Sequence, residues 1–316
     1  MNLIDVAREL ATDEECFAFL ESQRWPDGVR CVVCGCDRIS RITRKAPSKN
    51  KRANLYQCLE PTCKQQFSVT SGTIFHDARV PLSKWFMAIS LVMDAKKGLS
   101  AKQLQRHLGL GSYQTAWHMA HRIREAMGNP PDDPEQLTGT VEMDETYLGG
   151  KTQGRDWRRR KVKQVVVGMK QRGGKLRLMH TPDAKIETLA ECIREHVSAD
   201  VEAIMTDELP AYPKALRISG HDEMKHKTVN HSAQIYVDGD VTTNGIESAF
   251  SLFKRGVIGS FHKISIKHLH RYLSEFEFRF NERKNGERFE KMVSMTAQTS
   301  PLTYRRLVDG IDPVPF

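Results

Sequence analysis

The sequence predicts a multidomain α/β protein, in which a mixed β-sheet flanked by helices follows a cysteine-rich ribbon and a helix-turn-helix region. Three observations support this prediction. Two cysteine pairs lie before residue 75. Helical segments with cap residues follow between residues 81 and 127. Beyond residue 138, β-branched runs alternate with amphipathic helical runs, which is typical of a sheet covered by helices.

Composition limits the classes of protein to consider. The chain has 316 residues, enough for one large domain and one or two small ones. Lys and Arg exceed Asp and Glu by 48 to 39, and the resulting net charge of +9 favours a polyanionic partner. No apolar run approaches the roughly 20 residues of a membrane span, and the acidic N-terminus lacks the basic start of a signal peptide. We therefore expect a cytoplasmic protein without a membrane partner.

The composition shifts along the chain predict four segments. These are an N-terminal helix and ribbon (1–75), a helix-turn-helix region (76–128), a Pro-rich acidic linker (129–137) and a large α/β domain with a helical C-terminus (138–316). Two dense basic stretches lie at 45–52 and 155–163, and solvated loops are the alternative to nucleic-acid contact. From the second stretch we take three candidate DNA contacts: Arg158, Arg159 and Arg160.

The cysteine spacing predicts a zinc site in the first segment. Cys31 and Cys34 are separated by two residues, and Cys58 and Cys63 by four. Paired cysteines of this kind suit one tetrahedral Zn²⁺ with a structural role, because four thiolates leave no open position on the metal. The wide second gap departs from the usual spacing, and Cys36 is a competing ligand. Free thiols or a disulfide are the alternative, which the odd count of seven cysteines and an intracellular location disfavour.

The second segment predicts a helix-turn-helix. A helix from Pro81 ends before Gly98; Ser100 then caps a short helix that ends at Gly109, and Ser112 caps a longer one. On that last helix, Ala116, Trp117, Ala120 and Ile123 are expected to face the core. Four residues are expected to face the DNA groove: Gln114, Thr115, His118 and Arg122. An ordinary helical bundle is the alternative.

Three acidic residues lie where predicted elements of the last segment end or begin. Asp144 ends the strand VEMD, Asp207 ends the strand EAIMTD, and Glu247 lies near the start of an amphipathic helix. If the fold brings them together, their mutual repulsion calls for cations. Two Mg²⁺ (or Mn²⁺) ions would meet that need and would serve a phosphodiester displacement, so DNA strand cleavage and joining is the leading hypothesis.

Neighbouring residues compete for these roles. Strand alternation places Glu142 and Asp144 on one face and Glu145 on the other, and a surface position is the alternative for each of them. Glu208 is the alternative to Asp207. His231, in VNHS, is either an active-site residue or a hydrogen-bonded core residue. The order of elements, with a hairpin turning at Gly173-Gly174, suits a mixed sheet of which the ribonuclease-H-like fold is one example.

Several separate stretches resemble the zinc-ribbon DDE transposases of bacterial insertion sequences, a group related to eukaryotic Merlin elements. In the last segment they are VEMDETYLGGK, TDELPAY, VNHS, TNGIESAFSLFKRG and KHLHRYLSEFEFRFNER. The stretch QFSVTSGTIFHDARVPLSKWF resembles the connection between ribbon and helices in that family. The resemblance covers nearly the whole chain, and its motifs occur in the family's order.

The resemblance implies a ribonuclease-H-like catalytic domain that acts on terminal inverted repeats, with Asp144 and Asp207 as its two aspartates. The third position is Glu247 or Asn244, which are three residues apart and share a helix face. We prefer Glu247, because an anion neutralises a divalent cation better than an amide does. Lys254, two helical turns after Glu247, is expected to contact phosphate, a solvated lysine being the alternative.

These observations together predict a transposase that binds double-stranded DNA, both the ends of its element and the target. Handling two ends implies a homodimer or a larger assembly, and the place of action would be the nucleoid. Two alternatives are an inactive DNA-binding regulator that kept the fold, and a structure-specific nuclease without strand transfer. Ser and Cys nucleophile motifs such as G-x-S-x-G are absent from the sequence.

Overall fold

The computed structural model describes residues 1–42, 55–128, 136–149, 163–229 and 240–309. Contacts along the chain divide it into two compact units, Met1–Pro131 with Arg283–Phe316, and Asp132–Glu282. Several predicted features lie outside the described residues: the basic stretch 45–52, linker residues 129–135, Arg158, Arg159, Arg160 and His231. In the described part of the chain no helix is both long and apolar enough to cross a membrane.

The first unit begins with two helices and a three-stranded antiparallel ribbon. Helix α1 spans Leu3–Glu9 and α2 spans Asp13–Arg24, and each starts at a capping box. The strands are β1 (Ile39–Ile42), β2 (Leu55–Cys58) and β3 (Gln66–Ser68), with β2 in the centre. Their small core consists of aromatic rings in mutual contact, those of Trp25, Tyr56 and Phe67.

Three helices follow at the predicted positions: α3 (Leu82–Asp94), α4 (Ala101–Leu108) and α5 (Tyr113–Met127). The Ser100 and Ser112 side chains accept backbone N–H groups in the first turns of α4 and α5, as their sequence positions predicted. Gly109 ends α4 with a φ of +57°, a left-handed conformation that glycine adopts without strain. Helix, turn and helix are therefore confirmed as structure, and groove binding stays a prediction.

The last two helices, α10 (Arg288–Gln298) and α11 (Tyr304–Asp309), belong to the first unit. Phe289 of α10 stacks on Phe19 of α2 with ring centroids 6.0 Å apart and meets Phe86 of α3 edge-on at 6.2 Å. The sequence predicted one domain over residues 138–316, whereas Arg283–Phe316 belong to the first unit. Amphipathic periodicity predicts a helix and its apolar face, but not which core that face enters.

The second unit contains a five-stranded mixed sheet. The strands are β4 (Thr140–Leu148), β5 (Gln164–Gln171), β6 (Leu176–Thr181), β7 (Ala203–Thr206) and β8 (His226–Thr228). Their order is β6-β5-β4-β7-β8, and the first three are antiparallel, whereas β4, β7 and β8 run parallel. Strands β4, β5 and β6 form an antiparallel meander, and β7 and β8 extend the sheet from β4 in parallel. This is the ribonuclease-H-like arrangement, as predicted.

Helices cover both faces of this sheet. They are α6 (Ile186–His196), α7 (Ala211–Ser219), α8 (Asn244–Gly256) and α9 (Leu269–Asn281). Val141 and Met143 of β4 pack with α6 and α7, while Val166 of β5 packs with α8 and α9. Because successive side chains of β4 point to opposite layers, those of Glu142 and Asp144 lie on the α8 side.

Candidate active site

Strand pairing in the second unit places Asp144 and Asp207 side by side. The parallel register of β4 and β7 aligns Glu142 with Met205, and each aspartate follows two residues later. Both carboxylates are half-buried where the β7 strand ends and β4 continues. The Asp207 side chain accepts the Leu209 N–H at 3.0 Å, which holds the carboxylate in the turn before α7. The sequence predicted that each aspartate ends a strand. Asp207 directly follows β7, whereas β4 continues past Asp144 to Leu148.

Helix α8 brings Glu247 to the same site. Gly168 of β5 pairs with Asp144, and a Cβ atom at Gly168 would lie 2.7 Å from Ile246 and 2.6 Å from Phe250 of α8. The missing side chain therefore lets α8 lie close to the sheet at the level of Asp144. Glu247 is half-buried, and its Oε1 accepts the Thr243 hydroxyl at 2.9 Å. Asn244, the other candidate for the third position, is exposed in the first turn.

The electrostatics show that these carboxylates interact. Burial, followed by the charges of Glu145, Asp207 and Glu247, raises the pKa of Asp144 to about 7. Such a shift means that the metal-free site resists carrying all its negative charges at once. Carboxylate oxygens are the ligands that Mg²⁺ and Mn²⁺ prefer, so the donor set fits a divalent cation.

A fourth carboxylate, Glu145, adjoins this group from the opposite face of β4. Its Oε2 accepts the hydroxyl of the fully buried Tyr212 at 2.8 Å. Burial raises the pKa of Glu145, and the charge of Asp207 adds to the effect. Sequence reasoning placed Glu145 on the correct face but did not identify Tyr212. The TDELPAY motif contained that residue, yet nothing in the sequence indicated its partner.

Lys254 lies two turns along α8 from Glu247 and lines a cavity of about 1020 Å³. The other walls come from the end of β4, with Tyr147 and Gly149, and from the segment after α8, with His262 and Lys263. This segment begins with a π-helical turn at Val257–Phe261, and His262 has a φ of +58°. An ammonium group beside such a space suits a phosphate, but the phosphate contact of Lys254 stays a prediction.

Four cysteines in the first unit form a second ligand group. The Sγ atoms of Cys31, Cys34, Cys58 and Cys63 all lie within 4.8 Å of one another, and no other such group occurs in the described residues. The Cys31 carbonyl accepts the Gly35 N–H, and Gly35 has a φ of +73°. In the second pair Lys64 takes the corresponding place after Cys63, with a φ of +47°. Cys36 lies outside the group, so the predicted four-thiolate set is confirmed and its competitor is not part of it.

Comparison with known proteins agrees with this geometry. Residues 136–281 match the ISXO2-like transposase domain, and residues 11–66 match the transposase zinc-ribbon domain. The chain belongs to the zinc-ribbon DDE transposases of insertion sequences. A protein of Halobacterium salinarum, described as an uncharacterized protein in transposable element ISH50, is 27% identical over 291 residues, which cover 87% of this chain and 93% of that protein.

A distant structural likeness exists to a chain in a simian T-cell lymphotropic virus intasome bound to PP2A regulatory subunit B56 gamma. It has 13% identity and a TM-score of 0.27, and it covers 57% of this chain and 62% of that one. A score this low carries no argument about fold or function. The transposase assignment therefore depends on the two domain matches and the relative from the transposable element.

The predicted DNA-reading face of the transposase's α5 is only partly exposed. Gln114 and Thr115 are exposed, as a groove-facing role requires. His118 Nε2 lies 2.8 Å from the Leu302 carbonyl oxygen, and Arg122 Nε donates to the same oxygen at 3.0 Å. Both side chains are half-buried against the segment between α10 and α11. Their position indicates a role within the first unit that the local helical pattern did not reveal.

Proposed function

We propose that this protein is the transposase of an insertion sequence, which binds the terminal inverted repeats and catalyses metal-dependent DNA strand cleavage and strand transfer. One observation carries the proposal: β7 and α8 bring Asp207 and Glu247 close enough to Asp144 on β4 for their charges to raise its pKa, inside a DDE transposase domain. Neither the regulator nor the structure-specific nuclease has a feature of its own in the described residues to favour it.

Asp144, Asp207 and Glu247 would hold the two Mg²⁺ (or Mn²⁺) ions. When bound, these ions supply charge stabilisation to the attacking and leaving oxygens of a phosphodiester displacement. Glu247 is preferred over Asn244 because its carboxylate is half-buried and its charge helps to raise the pKa of Asp144, whereas Asn244 is exposed. An amide also contributes no charge to offset that of a divalent cation.

The chain's other residues would orient this group. The Thr243 hydroxyl holds one Glu247 oxygen, and the Tyr212 hydroxyl holds one Glu145 oxygen. Lys254 would bind a DNA phosphate beside the cavity after α8. His231 is a candidate for the same site, and Arg158, Arg159 and Arg160 are candidates for backbone contact. All four lie outside the described residues.

The first unit would supply recognition. Its zinc ribbon and the exposed Gln114 and Thr115 of α5 are the proposed contacts with the inverted repeats, and the net charge of +9 favours binding to the phosphate backbone. Joining two ends to one target requires at least two active sites, so we propose a homodimer or larger assembly at the nucleoid.

The test is strand cleavage and joining on labelled DNA that carries the element's own ends, with Mg²⁺ present. We expect activity to fall more than about 100-fold in Asp144→Asn, Asp207→Asn and Glu247→Gln. The loss of a metal ligand should lower activity more than the loss of a residue that only hydrogen-bonds to a ligand, which typically costs about 10- to 100-fold. Asn244→Ala should retain activity if Glu247 is the third ligand. Glu208→Gln, next to Asp207 and exposed, is the matched control.

The outcomes separate the alternatives. Binding of the ends without cleavage by the wild type would contradict the enzyme and favour the regulator. Cleavage of branched DNA with no preference for the ends, and no joining, would favour the nuclease. Loss of activity in Asn244→Ala but not in Glu247→Gln would exchange the roles of these two residues.

A further inference from the structure

Glu142, two residues before Asp144 on β4, has an environment unlike that of a surface carboxylate. The side chain is only 5% exposed and lies on the α8 side of the sheet. Its Oε2 accepts the backbone N–H of Ile246 at 3.0 Å, across 104 residues of sequence, and its Oε1 accepts from Arg172 Nε at 3.2 Å. Both oxygens therefore bind groups that tie β4 to other elements.

The Glu142 carboxylate takes over the usual task of the helix N-cap. Thr243 occupies the N-cap position of the 13-residue α8 and makes no side-chain cap hydrogen bond. A negative charge at a helix N-terminus also interacts favourably with the helix dipole. The Thr243 hydroxyl itself donates to Glu247 Oε1 at 2.9 Å.

Gly245 and Arg172 complete the contact. A Cβ atom at Gly245 would lie 2.5 Å from Glu142 Oε2, so a larger residue there requires the carboxylate or the helix to move. Arg172 also donates through Nη2 to the Thr242 carbonyl at 3.4 Å, and its backbone N–H donates to the Thr140 carbonyl at 2.9 Å. Glu142 therefore binds the first turn of α8, and Arg172 links Glu142 to the residue Thr242 that precedes the helix.

We propose that Glu142 is a positioning residue, which seats α8 on β4 so that Glu247 faces Asp144 and completes the metal-binding set. Glu142 touches neither metal nor DNA in this role and acts through the backbone of α8. The inference rests on the proposed function, since it assigns Glu142 to the same acidic site.

The test measures Mn²⁺ binding to the full-length, zinc-loaded protein by electron paramagnetic resonance, together with end cleavage and with thermal unfolding in the absence of Mn²⁺. Glu142→Gln keeps an acceptor but loses the charge that faces Arg172 and the helix N-terminus. We expect its Mn²⁺ affinity and cleavage rate to fall about 10- to 100-fold, with cleavage partly restored by excess Mn²⁺. Binding of DNA ends should be unchanged, because the proposed recognition residues lie in the first unit.

A second pair of variants keeps the test readable if Glu142→Gln folds poorly. Gly245→Ala should weaken Mn²⁺ binding through the 2.5 Å contact, whereas Gly286→Ala, where an added Cβ meets no atom within 4 Å, should not. Combining Gly245→Ala with Glu142→Asp shortens the carboxylate side chain and gives the new methyl group room. The double variant should therefore bind Mn²⁺ more tightly than Gly245→Ala alone.

The results separate this inference from the transposase proposal. A Glu142→Gln protein with lowered melting temperature but wild-type Mn²⁺ affinity would show a purely structural role and overturn the inference. Additive effects of Gly245→Ala and Glu142→Asp would also overturn it. A wild type that binds Mn²⁺ without cleaving DNA would overturn the transposase proposal alone, and one that binds no Mn²⁺ would overturn both.

Discussion

The zinc ribbon and the acidic site collect ligand side chains by different means. In the ribbon, four Sγ atoms lie within 4.8 Å of one another around a small aromatic core, so metal binding and local folding are coupled. In the second unit a packed sheet with a core on both faces holds the carboxylates in place despite their repulsion. No acidic group in the described residues is gathered as tightly as the cysteines.

This difference has a consequence for mutants. Removing a thiolate should destabilise the ribbon, because the metal contributes to its folding. Removing a carboxylate from the metal-free acidic site should stabilise the second unit, because it relieves repulsion that the core otherwise offsets. Removing one ligand side chain is therefore expected to lower the stability of the ribbon and to raise the stability of the metal-free second unit.

The largest effect is expected for Cys58→Ser. Zinc binding contributes on the order of 10 kcal/mol to the folding of small zinc modules. We expect Cys58→Ser to lose its zinc and to expose the ribbon to protease, while the five-stranded sheet of the second unit stays protected. Zinc content and limited proteolysis measure both effects.

Cys36→Ser is the matched control for this variant, because Cys36 lies in the same ribbon but outside the four-thiolate group. It should keep one zinc per chain. Loss of zinc from Cys36→Ser, or its retention in Cys58→Ser, would show that the ligand set has been assigned wrongly.

The second effect is a gain in stability for Asp144→Asn without divalent cations at the acidic site. The folded-state pKa of Asp144, about 7, exceeds its ordinary value of 3.8. The protonated Asp144 carboxyl therefore contributes its full share to the stability of the wild type below pH 4, and this contribution is lost as pH rises through about 7. Asparagine is uncharged throughout, so the variant should be more stable by up to about 4 kcal/mol at pH 8 and equal to wild type near pH 4.

Thermal unfolding at both pH values, with the ribbon zinc retained, measures this gain. Exposed Glu208→Gln should change little at either pH. A loss of stability at pH 8 in Asp144→Asn would mean that the folded protein stabilises the charge of Asp144, and the contrast with the ribbon would fail.

The parts of the acidic site that the sequence predicted are those with a local signature. Asp144 and Asp207 follow β-branched runs, and Glu247 lies in the first turn of an amphipathic helix, so their elements could be predicted without knowledge of the fold. The hairpin was predictable for the same reason, because Gly173, with its φ of +71°, lies between two alternating runs. The family resemblance then supplied the relation between these separate elements.

The parts that were missed depend on contacts between distant segments. Strand alternation placed Glu142 on the face of Asp144, but the N–H group that it caps lies 104 residues away. The helical pattern predicted that His118 faces DNA, but it could not show the contact with Leu302, which lies 184 residues later. Periodicity identifies a face of an element, whereas the partner of that face is a property of the tertiary fold.

A smaller effect is expected for Tyr212→Phe. The change removes the hydroxyl that donates to Glu145 and leaves a half-buried carboxylate without that donor. We expect the free energy of unfolding to fall by about 1–3 kcal/mol. Urea unfolding measures it, with the exposed Tyr113→Phe as the control. An unchanged stability would show that solvent replaces the hydroxyl, and that Glu145 is less enclosed than the sheet indicates.

The smallest effect concerns the different roles expected of two α5 side chains, Gln114 and His118. Gln114 is exposed and His118 is bound to the Leu302 carbonyl, so the two side chains should differ in what they change. Gln114→Ala should weaken binding to the element's ends by about 1 kcal/mol, without altering the affinity for unrelated DNA at the same salt concentration.

His118→Ala should instead lower the melting temperature of the first unit and leave the preference for end sequences unchanged. Competition binding on end and unrelated duplexes, together with thermal unfolding, separates the two effects. A changed sequence preference in His118→Ala at unchanged stability would mean that the Leu302 contact opens when DNA binds. The face of α5 that contacts DNA would then extend to His118, as the helical pattern alone predicted.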